Sequence, residues 1–175
     1  MVTATVPTVE ITETPGFFPV TSYIKGQVAE IKSDGLAPVM ITTANNKTDS
    51  LWLKMEQLDS VFAEFLTPEI DSANMVSLFK ESKFHDQTLN SFTFTYEPVK
   101  ELPATMPLKR WDVYVTPQTG TVKRIYIEKY SADRKDLQLT WQSDRSSRIV
   151  YFTTDAAGNP VVAKEVLVKW NFDEE

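Results

Sequence analysis

The chain has one histidine, His85, in the run Phe84-His85-Asp86-Gln87. A carboxylate beside an imidazole can hold the ring in one tautomer and orientation, as a general base requires. Paired with Asp86, or with Asp112 from a later segment, His85 is therefore the candidate for acid–base catalysis inside a pocket. No nucleophile is legible beside it, because no Ser or Thr stands in a strained elbow motif. The plainer reading of His85 is a solvated residue in a loop.

Metal and cofactor chemistry has little to work with. There is no cysteine, which excludes disulfides, thiolate catalysis, zinc ribbons and iron–sulfur clusters, and one imidazole cannot build a zinc or iron site. Asp133 and Asp136 flank Arg134-Lys135, and Asp155 precedes Gly158-Asn159. Both runs read as solvated hairpin turns and lack the alternating ligands of a calcium loop. With 5 Gly in 175 residues and no Gly-rich loop, a nucleotide cradle is not expected. No metal and no cofactor is expected. Asn46-Lys47-Thr48 matches a glycosylation acceptor sequence.

What the chain has in quantity is apolar surface, with 10 Phe, 6 Tyr and 4 Trp. The large rings at Phe62, Phe79, Phe92, Trp111, Tyr126 and Trp141 are the candidates to line an apolar ligand cleft. In the segments around Val122–Ile127 and Ile149–Phe152, apolar side chains fall on both faces of a strand, so each face needs a cover. A second subunit, an arm, a bound apolar ligand or the chain itself would serve.

The formal charge of −6 argues against a dedicated nucleic-acid binder, whose footprint is basic. The charge is unevenly spread. From Lys109 to Arg148 there are nine basic residues against five acidic ones, a local +4, while the remainder carries −10. A basic segment of this kind can steer an anionic partner, although Lys and Arg on exposed strands also discourage edge pairing. No run of about 18 apolar residues occurs, so no spanning helix is expected.

These residues need elements to position them. Residues 1–13 read as an extended polar arm: Met1 to Gly16 holds five Thr and two Pro with no Lys or Arg, the opposite of a signal peptide's basic start. The arm is read as a tether following a removed export signal, with an edge strand through Val6, Val9 and Ile11 as the alternative. Residues 14–175 read as a single domain. Phe17, Val20, Ile24, Val28 and Ile31 make a helical stripe that Ser33-Asp34-Gly35 ends. After a short strand over Pro38–Thr43, a second helix is predicted from about Ser50 (Leu51, Met55, Leu58, Phe62, Phe65). A third is predicted after Thr67-Pro68 (Ile70, Ala73, Met75, Val76, Phe79). From Phe84 the apolar period becomes two, and short turns separate strands at Phe92–Tyr96, Trp111–Thr116, Thr121–Tyr130, Leu137–Trp141, Ile149–Thr154 and Val162–Phe172. Short turns join only antiparallel neighbours. The predicted fold is therefore α+β: a curved antiparallel meander, half-barrel-like, with the N-terminal helices packed on one face.

The run Trp111-Asp112-Val113-Tyr114-Val115-Thr116-Pro117-Gln118-Thr119-Gly120, followed by Val122-Lys123-Arg124-Ile125, resembles the strand, Pro-x-Thr-Gly turn and basic-apolar strand of periplasmic lipoprotein carriers of the LolA and LolB type. That resemblance implies a curved half-barrel with helices in its concavity, where acyl chains bind. The Thr- and Pro-rich arm before the domain also resembles uncharacterised envelope lipoproteins of Bacteroidetes. This second resemblance implies an exported protein, periplasmic or attached to the outer membrane through a lipid anchor at a removed Cys.

The expected function is a non-enzymatic envelope domain that binds a hydrophobic, lipid-like ligand or a protein partner in a cleft between helices and sheet. The alternative is a small acid–base enzyme of cone-shaped α+β type using His85 with Asp86 or Asp112.

Overall fold

The computed structural model describes residues 16–173; the expected arm lies outside them. The element order is α1 (Val20–Ser33), β1 (Val39–Ala44), β2 (Lys47–Trp52), a 3-10 turn at Met55–Gln57, α2 (Leu58–Val61), α3 (Ala63–Leu66), and then β3 (Phe79–Asp86), β4 (Ser91–Pro98), β5 (Leu108–Val115), β6 (Val122–Tyr130), β7 (Asp136–Gln142), β8 (Ser146–Thr154) and β9 (Pro160–Lys169). The nine strands among the described residues join one antiparallel sheet in the order β2-β1-β9-β8-β7-β6-β5-β4-β3. β3 to β9 form a meander of consecutive neighbours. The β1–β2 hairpin then adds to β9, which makes the last strand of the chain an interior one.

The α+β class is thereby corrected to mostly β. Strand accounts for 45% of the described residues and helix for 16%, and the sheet they form is open, ending at β2 and β3. Of the two later expected helices, the second is cut to short helical turns between Met55 and Leu66 and the third is absent, for local reasons. Asn45 and Asn46 both take positive φ, 51° and 60°, the geometry of a two-residue hairpin turn that Asn tolerates. They fold Lys47–Trp52 back on β1, so Leu51 sits in a strand and only two four-residue helices follow. After Pro68, Asp71 Oδ1 accepts from the main-chain amides of Ala73 and Asn74, both at 2.7 Å. This side-chain bonding competes with helix formation and leaves a chain of turns. Phe79 then opens a strand instead of closing a helix.

α1 forms as its stripe demands. Val20, Ile24, Val28 and Ile31 are buried, and Gly35, at φ +63°, caps the end. Leu36 N–H reaches Ile31 C=O at 3.2 Å and Gly35 N–H reaches Lys32 C=O at 3.3 Å, the paired bonds of a Schellman cap. Register places one row across the inner face, Tyr96, Trp111, Ile127, Leu139, Ile149 and Val166, beside a second row through Val113, Ile125, Trp141, Ser147 and Val168. Apart from the partly buried Val166, these rows are buried and form one core with α1, Leu58, Phe62 and Phe65. The opposite, outer face is different. In its rows through Arg110, Asp112 and Tyr114 every residue except Asp112 is half-buried or exposed.

Candidate functional site

The six rings expected to line a cleft do not share one site. Phe62 and Trp141 meet edge to face at 5.0 Å, and Phe79 and Trp111 do so at 4.8 Å. All four are fully or almost fully buried, at 0–1% exposure. They are joined by Phe65, Trp170 and Tyr96, so the space between the helices and the sheet is filled with side chains. Phe92 lies apart on β4 against His85, ring centroids 4.5 Å apart. Tyr126 stands on the outer face, with its hydroxyl donating to Glu128 Oε1 at 3.0 Å.

One polar hub ties α1 to this core. Gln27 is buried; its Oε1 accepts from Asp144 N–H at 2.7 Å and Trp141 Nε1 at 3.4 Å, and its Nε2 donates to Asp144 Oδ1 at 2.9 Å. Tyr23, one turn earlier, brings its hydroxyl within 2.6 Å of Ser143 Oγ. No sequence signal marked Gln27, since a glutamine on an apolar stripe declares itself only through its partners.

The acid–base constellation is not assembled. His85 lies in the exposed edge strand β3, not in a loop, and lines none of the four main grooves among the described residues. Asp86, the next strand residue, points to the opposite face, where its Oδ1 accepts from the amides of Thr88 and Leu89 at 2.9 and 3.0 Å. Asp112 faces outward on β5 and is held by Arg110 Nη2 at 3.1 and 3.2 Å to its two oxygens. Among the described residues no group of three or more His, Asp or Glu side chains is gathered as a metal site requires.

The Arg110–Asp112 pair belongs to a polar cluster on the outer face with Tyr126 and Glu128. Burial works to lower the Arg110 pKa, but the Asp112 carboxylate, with Glu128 and Glu97 around it, raises it overall. Burial first, and then the Glu128 carboxylate, push the Tyr126 hydroxyl up to about 12. A tyrosine whose folded pKa exceeds its ordinary value near 10 favours the fold while neutral. Its contribution is complete below pH 10 and is lost as pH rises from 10 toward 12. Tyr126→Phe is expected to flatten the fall in melting temperature over that interval. Melting curves at stepped alkaline pH check this, and a variant with an unchanged slope refutes it.

The largest concavity, a groove of about 740 Å³, crosses the outer face where the β3–β4, β5–β6 and β7–β8 turns meet. Register aligns Phe84, Thr93, Tyr114, Arg124 and Gln142 as one row across five strands, and these residues make the groove floor. Phe84 and Leu89 are 64% and 69% exposed. Arg124 lies over the Tyr114 ring, 4.1 Å from its centroid. Lys123, Arg124 and Arg145 also line the groove, and no carboxylate among the described residues comes within 4.0 Å of them. Its two acids are engaged elsewhere, Asp86 by backbone amides and Asp144 by Gln27. The groove therefore holds three cations against two acids, none of the cations in a close ion pair, next to wet apolar surface. A scan against family models, a search of curated proteins and a search of solved structures each find no match to this chain. The groove was half legible beforehand: the local +4 from Lys109 to Arg148 marks its cations, whereas Phe84 and Leu89 arrive from β3 and its turn, which the expected third helix displaced.

A smaller hollow of about 490 Å³ between α1 and the chain end is lined by Glu30, Asp34, Asp144 and Asp173 around Trp170 and Phe172. It has the opposite electrostatic character. No helix among the described residues is long and apolar enough to cross a membrane.

Proposed function

We infer that this is a non-enzymatic binding domain whose ligand is an anionic amphiphile, of the fatty-acid or acidic-lipid kind, held in the outer groove. The carrying observation is that Lys123, Arg124 and Arg145, none within 4.0 Å of a carboxylate among the described residues, share one 740 Å³ hollow with the exposed Phe84 and Leu89. A cation set beside apolar surface suits a ligand with a charged head and an oily tail, because the tail gains from leaving water while the head keeps an ionic partner. The reading keeps the lipid-like ligand that the strand-turn-strand resemblance implies. It seats that ligand on the open face, since the interior is packed. An envelope location is part of the same proposal and is tested by fractionating cells that express the full-length gene product.

A titration with a fluorescent fatty acid tests the groove. Saturable binding is expected, weakened about tenfold or more by Arg124→Glu or Arg145→Glu, because each reversal removes one attraction and adds one repulsion at short range. The matching fluorescent alcohol, without the charge, is expected to bind less well than the acid. Equal binding of acid and alcohol, unaffected by either variant, overturns the reading.

A further inference from the structure

β3 is an eight-residue edge strand without proline, and only Phe79 of its residues is buried. Such an edge presents unpaired main-chain groups and is a template for another strand. Which groups point outward follows from the ladder. Val99 N–H donates to Leu78 C=O at 3.0 Å, in register with Phe79↔Pro98 and Lys80↔Glu97. Bonded and non-bonded pairs alternate in an antiparallel ladder. Lys80, Ser82 and Phe84 therefore turn their main-chain groups toward β4, and Glu81, Lys83 and His85 turn theirs to an edge that no strand among the described residues pairs. Phe79 N–H, also outward, is already taken by Met75 C=O at 3.0 Å.

The geometry points to a homodimer in which β3 pairs antiparallel with β3 of a second copy about a two-fold axis at Ser82. Charge selects this register. An axis at Glu81 sets two glutamates opposite each other, an axis at Lys83 sets two lysines opposite each other, and an axis at Phe84 gives Lys83 only His85 as its opposite residue. With the axis at Ser82, Glu81 faces Lys83 of the second copy and, by symmetry, Lys83 faces its Glu81. Both are outward residues, so each pair exchanges two main-chain hydrogen bonds as well as opposite charge. On the outer face the same register brings Lys80 of one copy against the exposed Phe84 ring of the other, a cation beside a π face. The other sheet edge carries no such device. Leu53 N–H bonds Pro38 C=O at 2.8 Å, which leaves Thr48, Ser50 and Trp52 as the outward residues of β2, all uncharged. The dimer stands on β3 alone and does not depend on what the outer groove binds. It does place Lys80 of the second copy beside Phe84 at the groove rim.

Sedimentation of the full chain over a concentration series tests the pairing. The wild type is expected to reach dimer. Glu81→Lys and Lys83→Glu each turn both facing pairs into like charges and are expected to raise the dimer dissociation constant about tenfold or more. The double variant E81K/K83E restores opposite charges in the reverse sense and is expected to recover the dimer. Within one copy Glu81 stands opposite Tyr96 in the ladder and Lys83 lies over Phe92, 4.1 Å from the ring centroid. The double variant changes both of these surroundings, so its recovery separates the interface from any effect on the fold, which melting curves monitor in parallel. A wild type that remains monomeric, a dimer indifferent to either single reversal, or a double variant that stays monomeric overturns the proposal.

Discussion

Trp141→Ala is expected to lower the stability of the domain by about 3–5 kcal/mol, the usual cost of deleting a large aromatic from a packed core. At roughly 2–4 °C per kcal/mol for a chain of this size, the melting temperature should fall by about 6–20 °C. The expectation rests on position. Trp141 has 0% exposure and touches Phe62 at 5.0 Å, Phe65 at 5.3 Å and Trp170 at 5.0 Å between ring centroids. It thus joins the helical segment, the middle of the sheet and the chain end. Its indole N–H is also bonded to Gln27 on α1, so truncation leaves a cavity and a buried amide oxygen with one partner fewer. Trp52 is the internal control. It is 62% exposed, with the Phe172 ring 6.2 Å away, and Trp52→Ala is expected to cost less than about 1 kcal/mol. Thermal melts of the two variants side by side decide the matter, and similar losses would mean that the core is not organised around Trp141.

Lys129→Met is expected to cost about 2–4 kcal/mol, a large effect for a change that removes a charge from the interior. Lys129 is 4% exposed on the inner face of β6. Its ammonium donates to Glu64 C=O at 3.1 Å and to Thr67 C=O, and it pairs with Glu64 Oε2 at 2.7 Å. The three contacts fasten the end of α3 to the sheet. Methionine fills nearly the same volume but removes the donor from both carbonyls and from the Glu64 carboxylate, and hydrogen bonds made by a charged group are worth more than neutral ones. Denaturant melts should show a lower midpoint with an unchanged slope. A variant as stable as the wild type would mean that water satisfies these carbonyls.

The two substitutions also mark where sequence reasoning runs out. A ring at Trp141 alternates with polar neighbours in a strand, and burial follows from that pattern. Nothing in the sequence distinguishes Lys129 from the lysines that stay in water, because its partners lie 62 and 65 residues earlier in the chain. Asp112 is a different case: it looks like a candidate base until Arg110, two residues away and on the same face once both lie in β5, is seen to hold both of its oxygens.

Local pattern by itself determined α1 with its glycine cap and the meander from β4 to β9, since a period of 3.6 or of two and a short turn are properties of adjacent residues. Tertiary structure decided the rest. Apolar residues at Leu51, Met55 and Leu58, and again at Ile70, Met75 and Phe79, keep a spacing that suits a helix, yet such spacing states only that a side is buried, not which backbone buries it. The turn at Asn45-Asn46 and the bonds at Asp71 chose strand and turn there, and the sheet gained β2 and β3 as its two edges. The groove and the open β3 edge both depend on that choice. Phe84 and Leu89 reach Tyr114 and Arg124 only because β3 pairs with β4, and residues 30 to 40 positions apart become neighbours through sheet register, which no local window of sequence contains.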